Sequence, residues 1–155
     1  MLRKAWILAG AFALVSFTAP LIESQQRAED RAAIERAALD YVEAFYEAKP
    51  ELIARGVSKD MKKMGFWRGG PEESYRGPLH MNFDQATELA RTWNADGQQG
   101  ENLEYEIEIY EVADKTACGK LTAKWGIDYF QLAKEDGEWK AHHILWQSHP
   151  PEQGE

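Results

Sequence analysis

A chain of 155 residues with 44% hydrophobic and 28% charged side chains can bury one core and is too short for two independent domains of ordinary size. Its 26 acidic against 18 basic groups leave a net charge of −8. Such a surface repels phosphate backbones, and no basic cluster with interleaved aromatics offsets it, which argues against nucleic acid as a partner. Cys118 is the sole cysteine, so no internal disulfide can form and the fold rests on its apolar core.

Arg3 and Lys4 precede an uncharged run from Ala5 to Ala19, the layout of an export signal and about five residues short of a comfortable membrane span. Cleavage after Ala19 puts Phe17 at the minus-three position, and cleavage after Ser24 puts Ile22 there. Both are weak sites. The expectation is an exported, secreted or periplasmic protein with a signal over residues 1–24, with a membrane anchor over residues 5–19 as the alternative. The domain then spans 25–148, and a Pro-rich tail that includes His149 is expected to be flexible over 149–155.

Ile34, Ala38, Tyr41, Phe45 and Ala48 recur at spacings of three and four, which predicts one amphipathic helix over Gln25–Lys49. Pro50 opens a short second helix, where its missing N–H is harmless, and Gly56 closes it. Met61–Trp67 reads as a short strand. Gly69-Gly70-Pro71 then begins an irregular loop to Leu79, polar apart from Tyr75, of a kind that either roofs a binding site or only connects. Asn82 and Gln85 have the spacing of a capping box, and Phe83, Ala86, Leu89, Ala90 and Trp93 give a third helix its apolar face.

Three strands are predicted beyond it, over Asn102–Glu111, Thr116–Leu132 and Glu138–Gln147. The first alternates strictly, with Leu103, Tyr105, Ile107 and Ile109 between glutamates, so one of its faces is buried. Asp136-Gly137 suits a two-residue hairpin turn that sets Glu135 opposite Glu138. In the middle strand the apolar parity changes from odd at Leu121, Ala123 and Trp125 to even at Phe130 and Leu132, which places a β-bulge at Gly126. On that register Phe130 lies opposite His143, and Asp128 is a diagonal neighbour of His143 on the buried face. Glu104, Glu106 and Glu108 oppose Lys120, Thr122 and Lys124 as a solvated ladder. The remainder of the outer face collects Ile127, Tyr129, His142, Ile144 and Trp146, a patch suited to a homodimer contact.

Several segments, taken in order, carry a family resemblance. They are Ala38-Leu39-Asp40-Tyr41-Val42-Glu43-Ala44-Phe45-Tyr46-Glu47, Gly65-Phe66-Trp67-Arg68, Met81-Asn82-Phe83-Asp84-Gln85-Ala86, Asp128-Tyr129-Phe130-Gln131-Leu132-Ala133-Lys134, Asp136-Gly137-Glu138-Trp139-Lys140 and Leu145-Trp146-Gln147. Over about Arg27–Ser148 the chain resembles the putative lumazine-binding branch of the nuclear transport factor 2-like superfamily, which includes polyketide cyclase-like (SnoaL-like) and ketosteroid isomerase-like proteins. It departs at Ser58-Lys59-Asp60, where many relatives carry His-Pro-Asp, so no role of that histidine carries over.

The resemblance implies an α+β cone, cystatin-like, with three N-terminal helices on a strongly bent mixed or antiparallel sheet. It also implies a small hydrophobic pocket for an apolar or aromatic molecule, with Tyr41, Trp67, Trp93, Tyr105, Trp125 and Phe130 as its candidate lining. Core is the first reading of the large aromatics, since small domains rely on them for buried area. Function is then that of a small-ligand-binding or accessory domain. One alternative is a cofactor-independent isomerase, dehydratase or cyclase in which His143 moves a proton and Asp128 orients it. Another is a structural dimerisation module. The Asp128–His143 pair would be catalytic, ligand-contacting or structural. His142 points away from His143, so the two cannot share a metal in regular strand geometry, and neither metal nor cofactor is expected.

Overall fold

Helix α1 runs over Thr18–Tyr46 in a computed structural model that describes residues 18–100 and 103–151. The signal expected over residues 1–24 lies outside the described residues as far as residue 17. Among the described residues no helix is long and apolar enough to cross a membrane. The predicted spacing appears as a buried stripe of Ile34, Ala38, Tyr41, Val42 and Phe45. Helix α2 (Glu51–Gly56) follows Pro50 and is tied to α1 by Asp40, which is 1% exposed and pairs with Arg36 and Arg55.

Strand β1 (Val57–Trp67) is longer than predicted, and β2 (Arg76–Met81) takes in the end of the stretch read as irregular loop, from Arg76 to Leu79. Helix α3 (Phe83–Thr92) starts with the expected capping box: the Asn82 side chain accepts from the Gln85 N–H, and the Gln85 side chain accepts from the Asn82 N–H. Strands β3 (Glu106–Val112), β4 (Thr116–Ala123), β5 (Gly126–Glu135) and β6 (Glu138–Gln147) complete the fold. The sheet order is β2-β1-β6-β5-β4-β3, with β1 and β6 parallel and the other neighbours antiparallel. The fold is therefore α+β, with helices packed on an open, mixed six-stranded sheet. Leu121, Phe130, Leu132, Trp139 and Ala141 meet Tyr41 and Phe45 in the core between them.

Two expectations about register are corrected. The long middle strand is two strands: Ala123 faces Gly126 across the two-residue turn Lys124–Trp125, so the parity change is a hairpin rather than a bulge. Gly126 has φ +139°, and a Cβ there would stand 2.0 Å from the Gln147 carbonyl oxygen; only glycine makes this turn against the end of β6. The bulge lies instead in β6. Leu132 faces Ala141 but Gln131 faces His143, so His142 is the extra residue, with its Nε2 3.2 Å from Glu135 Oε1. Asp136-Gly137 turns as expected, with Glu135 opposite Glu138.

Past the bulge every side chain of β6 changes face. Ile144 is 2% exposed and Trp146 turns inward, whereas Leu145 is 48% exposed. Asp128 and His143 therefore stand on opposite faces. The expected acid/base dyad does not form, and Ile144 and Trp146 leave the outer patch. Ile127, Tyr129 and His142 stay outside, where Leu145 and His143 join them. Of the expected charge ladder, Lys120 pairs with Glu108.

Candidate functional site

Between α1, α3 and the concave face of the sheet lies a cavity of about 1070 Å³. Tyr41 and Phe45 from α1, Lys63 and Trp67 from β1, Trp125 from the β4–β5 turn and Trp146 from β6 line it, with Met81, Leu89 and Trp93. Its mouth is formed by Arg68 to Glu72, Gln99, Lys124 and residues 148–151.

The floor is polar and closed to water. Alternation along β1 buries Met61, Lys63 and Gly65 and exposes Lys62, Met64 and Phe66, so Lys63 points inward and is 6% exposed. Its Nζ donates to Tyr41 Oη at 2.5 Å and to Asp128 Oδ1 at 2.7 Å. Asp128, 0% exposed, also accepts from Trp125 Nε1. The ammonium lies 5.1 Å from the centroid of the Trp146 ring and 5.2 Å from that of Tyr41, within cation–π range. Burial, then the charge of Asp128 and a hydrogen bond to it, push the Tyr41 hydroxyl well above the ordinary phenol range. Its proton stays on across the physiological span.

Aromatic contacts hold the walls. Trp125 meets Trp93 edge-on at 5.2 Å and Phe45 at 5.3 Å, and Tyr46 stacks on Trp93 at 5.7 Å. Tyr46 Oη accepts from the Lys124 N–H and donates to the Glu104 carbonyl, both at 2.8 Å. At the mouth, Ser148 Oγ accepts from the Arg68 N–H at 3.0 Å, and His149 Nε2 lies 2.8 Å from the Ala123 carbonyl. The stretch expected as a tail thus begins as part of the pocket wall; residues 152–155 lie outside the described residues.

Of the six predicted lining residues, Tyr41, Trp67, Trp93 and Trp125 are in the wall. Phe130 is 3% exposed beneath Tyr41, with ring centroids 5.2 Å apart, so it is core. Tyr105 is 44% exposed and meets Tyr46 edge-on outside the cavity. Of the predicted dyad, Asp128 reaches the site from beneath and His143 does not. His80 is exposed on β2 opposite Met64. Lys63 and Arg68 are site residues that the sequence did not single out, and Trp146, expected in the outer patch, lines the cavity instead. Among the described residues, no three His, Cys, Asp or Glu side chains come together as metal ligands.

The family described as "Putative lumazine-binding" matches residues 29–147. No curated protein matches the chain. Among solved structures, a nuclear transport factor 2-like protein of unknown function from Silicibacter pomeroyi superposes with a TM-score of 0.61 at 13% identity, over 79% of this chain and 98% of that one. Another such protein, from Shewanella baltica, gives 0.58 at 13% identity, over 79% and 96%. A "Putative Scytalone Dehydratase" from Novosphingobium aromaticivorans gives 0.53 at 16% identity, over 85% and 99%. At these identities the likeness is one of fold.

Proposed function

Because this chain belongs to the Putative lumazine-binding family, we propose that its hollow binds a small planar molecule, held among the rings of Trp67, Trp93, Trp125 and Trp146 and accepting a hydrogen bond from Lys63. The observation that carries this reading is the cation on the floor of a cavity walled by aromatic rings. An ammonium has three N–H donors; Tyr41 and Asp128 take two, which leaves one for a carbonyl or comparable acceptor on the ligand. A fused-ring dione such as lumazine has the flat shape and the acceptor. No reaction is assigned, since the acid/base pair that would have supported one is split between the two faces of the sheet.

The test is a titration of lumazine against the intrinsic fluorescence of these tryptophans, in the native chain and in Lys63→Met/Asp128→Asn. That double variant removes the donor without stranding a buried charge. Saturable quenching by lumazine is expected, with affinity falling about tenfold to a hundredfold in the variant, as loss of a hydrogen bond from a charged group implies. Equal binding by both proteins, or no saturable quenching by lumazine or by xanthine, a second fused-ring dione, would overturn the reading.

The same proposal includes export and self-association. Export is supported by Arg3 and Lys4 ahead of the uncharged run Ala5–Ala19. Self-association is supported by an outer-face patch in which Met64 neighbours Leu145 and Leu145 neighbours Tyr129. With Phe66, these residues are 37–48% exposed across β1, β6 and β5. A second copy laid back to back would cover that patch.

A further inference from the structure

We propose that the occupant of the hollow carries a negatively charged group, a carboxylate or a phosphate, and that Arg68 at the mouth receives it. This deepens the ligand-binding reading above and rests on it. Among the described residues the buried charged side chains are Asp40, Lys63, Arg68 and Asp128. Asp40 has Arg36 and Arg55, and Lys63 and Asp128 have each other. Arg68 is the one without a counter-charge.

Arg68 is 8% exposed, and its guanidinium donates only to carbonyls. Nε and Nη2 reach the His149 oxygen at 3.0 and 2.6 Å, and Nη1 reaches the Pro71 oxygen at 2.9 Å. The Tyr75 ring covers it at 5.1 Å. A guanidinium has five N–H donors, so two remain in a side chain that lines the cavity. A buried cation with neither water nor an anion is costly, and an anion in the cavity removes that cost through charge-assisted hydrogen bonds. Lys124, also in the lining, donates its ammonium to the Gln99 carbonyl, so the second cation at the mouth is likewise without a carboxylate. Glu72 is part of the same wall but forms no ion pair with either.

Arg68 lies five residues beyond Lys63 along the direction of β1, about 16 Å of strand, a span that both long side chains shorten. A fused ring with its acceptor at Lys63 would carry a short charged arm toward the end of the cavity where Arg68 stands. The arginine fork suits carboxylate and phosphate alike, so the test separates them.

Lumazine, 6-carboxylumazine and the phosphate ester of 6-hydroxymethyl-lumazine are titrated against the full chain by tryptophan fluorescence. One anionic derivative is expected to bind about tenfold or more tightly than lumazine, and the tighter of the two identifies the group. In Arg68→Gln the ratio of the derivative's affinity to that of lumazine should fall to about one. Because Arg68 also fastens His149 and Pro71, a second measurement uses the native chain alone: added sodium chloride should shrink the advantage and leave lumazine binding in place. If lumazine binds and neither derivative binds more tightly, this inference is overturned and the ligand-binding reading stands. If none of the three binds, both fall. An advantage seen only in Glu152→Gln/Glu155→Gln would assign the counter-charge to the chain's own C-terminal carboxylates and would also overturn it.

Discussion

Lys63 Nζ sits 2.7 Å from Asp128 Oδ1 with both side chains almost wholly out of water. Opposite charges buried in this way are costly to strand singly. Lys63→Met is therefore expected to cost about 3–5 kcal/mol, because Asp128 keeps only the uncharged donors Trp125 and Tyr41 and loses its counter-charge. Lys63→Met/Asp128→Asn should recover a large part of that loss. Urea denaturation of the two single variants and the double variant reads the coupling directly; additive losses would mean that the two groups do not depend on each other.

Tyr41 gives the fold an alkaline limit. Its hydroxyl is held protonated by burial, then by the charge of Asp128 and a hydrogen bond to it, so its folded pKa lies above the unfolded value of about 10. The contribution is complete below that unfolded value. It is lost as pH rises from there through the folded pKa, because only the unfolded chain gains from ionising. Tyr41→Phe should be less stable at neutral pH and fall less steeply above about pH 10, as followed by denaturation midpoints across that range.

Asp30 has the opposite sign. Lys134 donates to its Oδ1 at 2.6 Å and Trp139 Nε1 at 3.0 Å. The hydrogen bond from Lys134, then that from Trp139, hold its carboxyl below the ordinary aspartate value against the effect of burial. Its contribution is present above the unfolded pKa of about 3.9 and is lost as pH falls through the lower folded value. Asp30→Asn is expected to cost about 1–2 kcal/mol near neutrality, as loss of charge-assisted hydrogen bonds does, and to flatten the acid limb of a stability profile.

What the sequence made legible was local. The spacing of Ile34, Ala38, Tyr41 and Phe45, the Asn82–Gln85 box and the Asp136-Gly137 turn each act within a few residues, and each stands as expected. The site escaped for two reasons. Met61-Lys62-Lys63-Met64 has no apolar alternation to show that Lys63 faces inward, and Ile144-Leu145-Trp146 is apolar throughout, so either parity fits. The face was decided by β1, which pairs in parallel with β6 across some 80 residues of sequence and sets Gly65 beside Trp146. Such a contact leaves no local mark.

Leu145 tests self-association. It is 48% exposed between Met64 and Tyr129 on the outer face, where a carboxylate would be stranded in a buried contact but harmless in water. Light scattering should give the native protein twice the monomer mass and Leu145→Glu the monomer mass, with circular dichroism unchanged. A monomer mass for the native chain, or the same doubled mass for both, would remove the outer face from the proposal.

Gly65 links packing to the site. A Cβ there would meet Trp146 Cδ1 and the Trp146 carbonyl oxygen, each at 2.2 Å, and Trp146 Nε1 at 2.3 Å. The indole can rotate away, but the carbonyl belongs to the neighbouring strand, so β1 and β6 would have to separate. Gly65→Ala is expected to cost about 3 kcal/mol, at the upper end for overpacking, and to move the Trp146 ring off the Lys63 ammonium that it now covers at 5.1 Å. Lumazine affinity should fall with it. Gly70→Ala is the control, since a Cβ at that position meets nothing within 4 Å, and its stability should stay within about 0.5 kcal/mol of the native value. Equal urea midpoints for the two variants would mean that the β1–β6 spacing is soft and that Trp146 is not held in place by Gly65.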